Sequence, residues 1–331
     1  MISKVSKLLN DAKNISIYTH INTDCDAIGS SLALREALIS KGKNVDVFVN
    51  SDFPSNFNFF GDLSFINKKT CTEKYDLAVC LDCATEGRLG KYKFTYRKGV
   101  KNTLSIDHHI LSNEKYCREN FIKEASSTCE ILFEIFSYMH IYISESMAKK
   151  LLSGILTDTG RLTHSASSKT FMIVSKLLKF AKISIEEITT PLFNSMSVNV
   201  FNLIKKAYDK IEFYCDNKLA VIMLAHSDYI ETQTKMDDID AIPDMPLQID
   251  DVKFSIVASE DDKGYFRVSF RSKGEISARE VAETFGGGGH LNASGCKIFG
   301  TFDEVKQLLL NNTMQVLGWK NDWKIGIFKH Y

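Results

Sequence analysis

The 331-residue chain has no excess of charge of either sign: Lys+Arg and Asp+Glu each number 41. Proteins that grip long nucleic acid neutralise many phosphates and carry a broad basic surface. Here any polyanion site has to be local, which favours a small phosphate-bearing substrate over a long duplex. The chain also lacks an apolar run approaching the roughly 20 residues that span a bilayer. Its first twenty residues alternate Ser, Lys, Asp and Asn with apolar positions and contain no continuous secretory core. The expectation is a cytoplasmic protein with no membrane segment. Eight cysteines are present, but they are scattered. Cys80 and Cys83 have C-x-x-C spacing without a second such pair, which argues against a closed four-cysteine zinc site. Most of the cysteines read as small core hydrophobes in a reducing compartment. Neither a P-loop nor a G-x-G-x-x-G fingerprint occurs.

What remains is an ordinary globular composition, 44% apolar and 25% charged, long enough for two domains. In the first half, short β-rich runs alternate with helical patterns. NISIYTH, NVDVFVN, YDLAVCLD and NTLSIDHH read as strands. GSSLALREALISKG, closed by Gly42, and SESMAKKLLSGILTD read as helices, as does SSTCEILFEIFSYM, opened by a capping box of Ser127 and Glu130. This alternation predicts an α/β unit with a doubly wound, mostly parallel sheet over residues 1–180. Residues 181–215 read as a helical linker. Residues 216–331 read as a smaller α+β domain, with a hairpin turning across Asp261–Gly264 and a final helix FDEVKQLLLNNTMQVL.

Three of the predicted strands run into candidate metal ligands. NISIYT leads to His20, Asp24 and Asp26, YDLAVCL to Asp82, and NTLSI to Asp107, His108 and His109; Asp158 ends a helix. In open α/β sheets the loops beyond the carboxyl ends of the strands converge on ligands. So many carboxylates in one dry cleft would raise one another's pKa unless cations were present. Two divalent ions sharing a carboxylate remove that conflict, activate water at neutral pH and clamp both oxygens of an in-line displacement at phosphorus. Imidazole and carboxylate without thiolate suit Mn²⁺ better than structural Zn²⁺. Any one of these residues alone reads as a cap, a turn or a surface histidine; the ordered set is hard to reach by chance.

The set, with THINTDCDAIGSSLALREAL, LDCATEGRLG, IDHHILSN, ASSTCEILFE, LLSGILTDTGRL and FGGGGHLNASG, resembles the DHH phosphoesterase superfamily over nearly the whole chain. Within it the chain looks most like the nanoRNase/pAp phosphatase branch, in which a DHH catalytic domain precedes a DHH-associated substrate-binding domain. The resemblance implies that His20, Asp24 and Asp82 bind one metal, and Asp26, Asp82, His108 and Asp158 the other. It further implies that His109 faces the substrate and assists the leaving group, with Asp107 supporting the histidines. The implied cofactors are two Mn²⁺, with Mg²⁺ or Co²⁺ as substitutes. The implied substrates are short oligonucleotides, linear dinucleotides and pAp, with homodimerisation left open. The first motif departs from the family's usual Pro and Gly at Thr23 and Cys25, and Cys25 between two ligands is a candidate for redox sensitivity. Alternatives are a stand-alone cyclic-dinucleotide (c-di-AMP type) phosphodiesterase and a catalytically silent nucleotide-binding regulator. A complete ligand set speaks against the regulator.

Gly286 to Gly289 precede His290, and backbone amides without side chains can cradle an anion. A plain flexible turn is the commoner meaning of such a run. In the resembling family this loop and an Arg on the neighbouring strand bind substrate, which points to Arg271, Gly287, Gly288, Gly289 and His290. Arg88 is the candidate phosphate clamp of the first domain. Phe53, Phe57, Phe59 and Phe60 read as packing rather than base stacking, and Arg161 and His164 as cleft-lining at most.

Overall fold

A computed structural model of the chain describes all residues except 51–58, 69–73, 111–114, 195, 240–241 and 321–331. Phe53 and Phe57 therefore lie outside the described residues. The chain divides into two compact units, Met1–Ser195 and Met196–Tyr331.

The first unit is built on a five-stranded sheet ordered β2-β1-β3-β4-β5, in which every neighbouring pair is parallel. Its strands are β1 (Asn14–Tyr18), β2 (Asn44–Phe48), β3 (Leu77–Leu81), β4 (Asn102–Asp107) and β5 (Glu119–Ile122). One face is apolar through Ile15, Ile17, Val45, Val47, Leu77, Val79, Leu104 and Ile106. Packed in the same core are α1 (Ile2–Asp11), α2 (Cys25–Ile39), α3 (Thr128–Tyr138), α4 (Glu145–Asp158), α5 (Ser168–Ala181) and α6 (Glu186–Phe193). The opposite face presents Tyr18, Phe48, Ala78 and Cys80. It is covered by Leu89, Tyr92 and Tyr96 from the β3–β4 connection, which carries only a short 3-10 helix, Glu86–Tyr92. Tyr18 stacks on Phe48 at 5.1 Å between ring centroids and meets Tyr92 edge-on at 5.5 Å. Phe59 and Phe60 pack against the helical core, as their packing reading expects.

Side-chain caps set the helix starts. Asp24 caps α2, Ser127 caps α3 and Ser144 caps α4. The expected capping box of α3 forms only in part. Ser127 accepts from the Glu130 amide, but the Glu130 carboxylate turns to the Ser126 and Thr170 hydroxyls at 2.6 and 2.8 Å. A buried carboxylate takes the strongest donors in reach, and these hydroxyls outcompete its own N-cap amide. The backbones of α2 and α4 touch. A Cβ on Gly29 would sit 2.6 Å from the Lys150 carbonyl oxygen, and one on Gly154 would sit 2.6 Å from Asp26 Oδ1.

The second unit holds a six-stranded mixed sheet ordered β10-β11-β9-β8-β7-β6. Its strands are β6 (Glu212–Tyr214), β7 (Leu219–Leu224), β8 (Phe254–Glu260), β9 (Tyr265–Ser272), β10 (Gly288–Gly289) and β11 (Ala293–Phe299). The helices α9 (Ala278–Thr284) and α10 (Phe302–Leu317) cover one face through Phe266, Val268 and Phe270. On the other face α7 (Val198–Asp209) and α8 (His226–Thr232) cover Ile222, Leu224 and Val257. The predicted β8–β9 hairpin is present, its turn closed by the Asp261 amide donating to the Tyr265 carbonyl at 2.8 Å.

Candidate functional site

The carboxyl ends of β1, β3 and β4 bring the predicted ligands together. His20, two residues past β1, is 2% exposed. Its Nδ1 lies 2.6 Å from the Ile21 carbonyl oxygen and 3.2 Å from an Arg88 guanidinium nitrogen. The shorter contact needs a donor, so Nδ1 carries the hydrogen and Nε2 is left to act as the ligand. Nε2 in turn lies 3.5 Å from both Asp24 Oδ2 and Asp82 Oδ2. Asp24 divides its work. Oδ1 caps α2 by accepting from the Asp26 and Ala27 amides, and Oδ2 faces His20.

Asp82 follows β3 in a left-handed conformation, φ 54°, which is strained for a residue with a Cβ and tolerated best by Asn and Asp. Its Oδ1 lies 3.4 Å from His108 Nε2, and His108 Nε2 lies 3.2 Å from Asp158 Oδ2 at the end of α4. The described residues thus contain two donor groups able to hold a cation, His20–Asp24–Asp82 and Asp26–His108–Asp158, with Asp82 also within reach of His108. A third, Asp82–Asp107–His108–His109, overlaps them. Asp107 is buried and accepts from His109 Nδ1 at 2.7 Å, so it orients that ring; His108 turns instead to Asp82 and Asp158.

Asp26 is fully buried, and the N-terminus of α3 holds both of its oxygens. Oδ2 accepts from the Thr128 amide at 2.7 Å and Oδ1 from the Cys129 amide at 2.9 Å. The Thr128 hydroxyl donates to Asp82 Oδ1 at 3.1 Å. Sequence reasoning missed Thr128 and Cys129 in this role. Their signal was the N-cap of α3, but a cap says nothing of a carboxylate a hundred residues away.

The electrostatics are those of a crowded anionic site. Burial, then Asp82, pushes the Asp26 carboxyl up to about 7. Burial, then the Asp26 and Asp82 carboxylates, raises Asp158. Burial would lower His20, yet Asp24 and Asp82 outweigh it and bring the imidazole to about 10; Asp82 likewise overcomes burial at His108, to about 9. Burial opposes ionisation of Asp82, and His108 and His20 prevail, holding it well below the usual carboxylate range. Protons here stand in for cations: the raised imidazoles hold them, and the raised carboxyls of Asp26 and Asp158 favour the protonated form. A donor set that attracts protons so strongly, with only nitrogen and oxygen ligands, fits divalent metal ions.

Cys25 is the cysteine that lies between two candidate ligands. It is buried, and burial followed by Asp24 pushes its thiol to about 12, so the reactive thiolate is disfavoured. Cys80 and Cys83 are buried in the aromatic cluster behind the sheet. Arg161 places its guanidinium 4.8 Å from the Phe193 ring centre, and His164 is exposed beside Thr163.

In the second unit the glycine run is a hairpin arm rather than an open nest. Gly288 and Gly289 pair with Gly295 and Ser294 of β11. The amides of Gly286 and Gly287 donate to the Glu283 and Ala282 carbonyls that end α9, and that of His290 donates to the Ala293 carbonyl. Those amides are already used. A Cβ on Gly287 would lie 2.6 Å from Cys296 Cβ, and one on Gly289 2.5 Å from the Ala293 carbonyl oxygen, whereas Gly288 has open space around it. Close backbone approach by itself requires glycine at 287 and 289. Arg271 stands opposite Ala293 on β9, on the sheet face that α9 and α10 leave open, and is held by Asp244 Oδ1 at 3.1 Å.

Residues 14–156 match the DHH family, N-terminal domain, and residues 216–315 match the DHHA1 domain. The chain carries DHH and DHHA1 domains. It is 27% identical over 307 residues to the probable bifunctional oligoribonuclease and PAP phosphatase NrnA of Streptococcus mutans, covering 89% of this chain and 94% of that one. It is 26% identical to the Mycoplasma genitalium protein named bifunctional oligoribonuclease and PAP phosphatase NrnA, over 90% and 92% of the two chains. The cyclic-di-AMP phosphodiesterase PdeA of Listeria monocytogenes is 25% identical over 89% of this chain, which spans 46% of that protein. Among solved structures, an exopolyphosphatase-related protein of Bacteroides fragilis matches with TM-score 0.89 and 29% identity, over 96% of each chain. The ligand clusters lie in the DHH domain or, for Asp158, just past its match; Arg271 and the glycine hairpin lie in the DHHA1 domain.

Proposed function

We propose that this DHH phosphoesterase hydrolyses short oligoribonucleotides and linear dinucleotides to mononucleotides, and pAp to AMP, with two divalent cations, Mn²⁺ foremost. His20, Asp24 and Asp82 would hold one ion, and Asp26, Asp82, His108 and Asp158 the other. The observation that carries the reading is Asp82, whose two oxygens face the two donor groups, Oδ2 toward His20 and Oδ1 toward His108. Bound there, the ions would neutralise phosphate charge and activate water for an in-line attack.

The chain's own groups do the rest. Asp107 fixes the His109 ring, which we assign to proton transfer at the leaving oxygen. Arg88, its guanidinium beside His20, would hold a phosphate oxygen that does not react. In the DHHA1 domain, Arg271, Gly288 and His290 are assigned to substrate binding, with Gly287 and Gly289 shaping the backbone there. The similarity to relatives named for oligoribonuclease and PAP phosphatase activity supports the substrate class. The match to a cyclic-di-AMP phosphodiesterase favours a second reading with the same metal core. No helix among the described residues is long and apolar enough to cross a membrane.

The test is purified protein with Mn²⁺ against an RNA dinucleotide, a 24-mer, pAp, cyclic di-AMP and pyrophosphate, beside Asp82→Ala. The dinucleotide and pAp should be cleaved by the wild type alone. Cleavage of pyrophosphate only, or full activity of Asp82→Ala, overturns the reading. Cleavage of cyclic di-AMP in preference to the dinucleotide moves it to the second one.

A further inference from the structure

Residues 86–101 carry six cations and a single carboxylate in a chain whose formal net charge is zero. This connection leaves the catalytic edge of the DHH sheet directly. The Ile21 amide donates to the Arg88 carbonyl at 2.8 Å. Asn50 ties the Lys91 amide (2.9 Å) to the Leu89 and Thr19 carbonyls, the latter next to His20. From there the segment crosses the sheet face away from the helices and enters β4 at Asn102, at the opposite edge. With six residues in β4, that path is on the order of 20 Å long.

Its two sides differ in kind. Leu89, Tyr92 and Tyr96 turn inward and seal the sheet. Lys91, Arg97, Lys98 and Lys101 are exposed, and between them Phe94 is left 75% exposed. Arg97 is engaged by Glu86 at 3.1 Å, but among the described residues no carboxylate pairs with Lys91, Lys93 or Lys98. A solvated cover needs no exposed phenyl ring. Lys93 Nζ lies 5.3 Å from the Phe94 ring centre and Lys91 Nζ 5.1 Å from that of Tyr92. A row of cations that no carboxylate neutralises, set around an exposed ring, is what single-stranded nucleic acid uses, phosphates on the cations and a base on the ring.

We propose that this strip, Lys91–Lys93–Phe94–Lys98, is an accessory track for the part of an oligoribonucleotide that extends beyond the two residues at the metal centre. It deepens the proposed function and rests on that reading for the identity of the ligand. The track makes the enzyme prefer chains of three to five residues over dinucleotides, by binding phosphates the chemistry does not touch.

The experiment compares wild type, Lys91→Ala/Lys93→Ala and Phe94→Ala, with Lys176→Ala/Lys179→Ala on α5 as a charge-matched control on the helical face. Fluorescence anisotropy in EDTA reads the affinity for a labelled RNA pentamer and dinucleotide, and kcat/KM is then measured with Mn²⁺. The lysine pair should lower the pentamer-to-dinucleotide ratio of both quantities about tenfold. It should also flatten the salt dependence of pentamer binding by roughly 1.4 in log–log slope, since each phosphate left without its lysine removes about 0.7. Phe94→Ala should lower the ratio with no change in slope. An unchanged ratio, or an equal loss in the α5 control, overturns the track. Binding that follows these expectations in protein that cleaves neither RNA overturns the proposed function and leaves the track standing.

Discussion

The carboxylate-rich sheet edge of the DHH domain and the glycine hairpin of the DHHA1 domain are built on opposite plans. At the edge, backbone and hydroxyl groups fix the side chains. Asp26 has an amide on each oxygen, Asp82 a hydroxyl on one, His20 a carbonyl on Nδ1 and His109 a carboxylate on Nδ1. At the hairpin the backbone is fixed, by strand pairing and by glycines with no room for a Cβ, while Arg271 and His290 stand partly or fully exposed on it. Chemistry that must place two charges a few ångströms apart needs the first plan. Recognition of a ligand that varies in length or base can use the second, where a side chain adjusts on a rigid frame.

The largest test of this contrast is Asp82→Ala. Losing the carboxylate that faces both donor groups should abolish binding of two ions, seen by calorimetric titration with Mn²⁺, and cut turnover on the order of 10³-fold. Next is Thr128→Val, which keeps the shape and the amide to Asp26 but removes the hydroxyl on Asp82. Metal affinity should fall about 10- to 100-fold, and Thr128→Ser should restore most of it. An unaltered affinity would mean that Asp82 is held by its backbone alone.

On the hairpin, Gly287→Ala should destabilise the DHHA1 domain by about 1–3 kcal/mol through forced overlap with β11, while Gly288→Ala should leave its denaturation midpoint in place. If Gly288→Ala nonetheless raises KM several-fold, the open glycine touches substrate; if KM also stays put, the run is architecture only. The smallest effect concerns Glu36, which ties α2 to α4 through Ser144, Ser146 and Lys150. Burial would raise this carboxyl, but Lys150 and the two serines outweigh it and lower it. A depressed carboxyl stabilises fully above its unfolded value, near 4.3, and loses that contribution as acid protonates it in the fold. Glu36→Gln should therefore cost a few tenths to about 1 kcal/mol at pH 7, discounted for its partial exposure, with the gap to wild type closing below about pH 4 in urea titrations.

The clustering of the candidate ligands was legible because a parallel sheet gathers the residues that follow its strands at one edge, and His20, Asp82 and His108 each follow a readable β run. The groups that hold those side chains were not. Thr128 and Cys129 reach Asp26 across more than a hundred residues, and nothing in SSTCE marks that pairing. The crowding in the glycine run was hidden for a related reason. The lack of room at Gly287 and Gly289 comes from pairing with β11, and local sequence cannot distinguish a crowded glycine from a free one. Glu130 was assigned to a capping box because it stands three residues after Ser127, while its actual partners include Thr170 on another helix.

Gly29 and Gly154 bring α2 and α4 into backbone contact at the point where Asp26 leaves α2 and one turn before α4 ends in Asp158. Main chain is far less compliant than side chain, so two helices that touch this way have little freedom to slide or rotate past each other. The spacing between Asp26 and Asp158 is thereby set by the closest approach of two rods. Repacking the surrounding Leu and Ile residues would loosen or tighten the unit as a whole before it changed the spacing of these two carboxylates, which makes that spacing one of the last properties of this domain that sequence drift could alter.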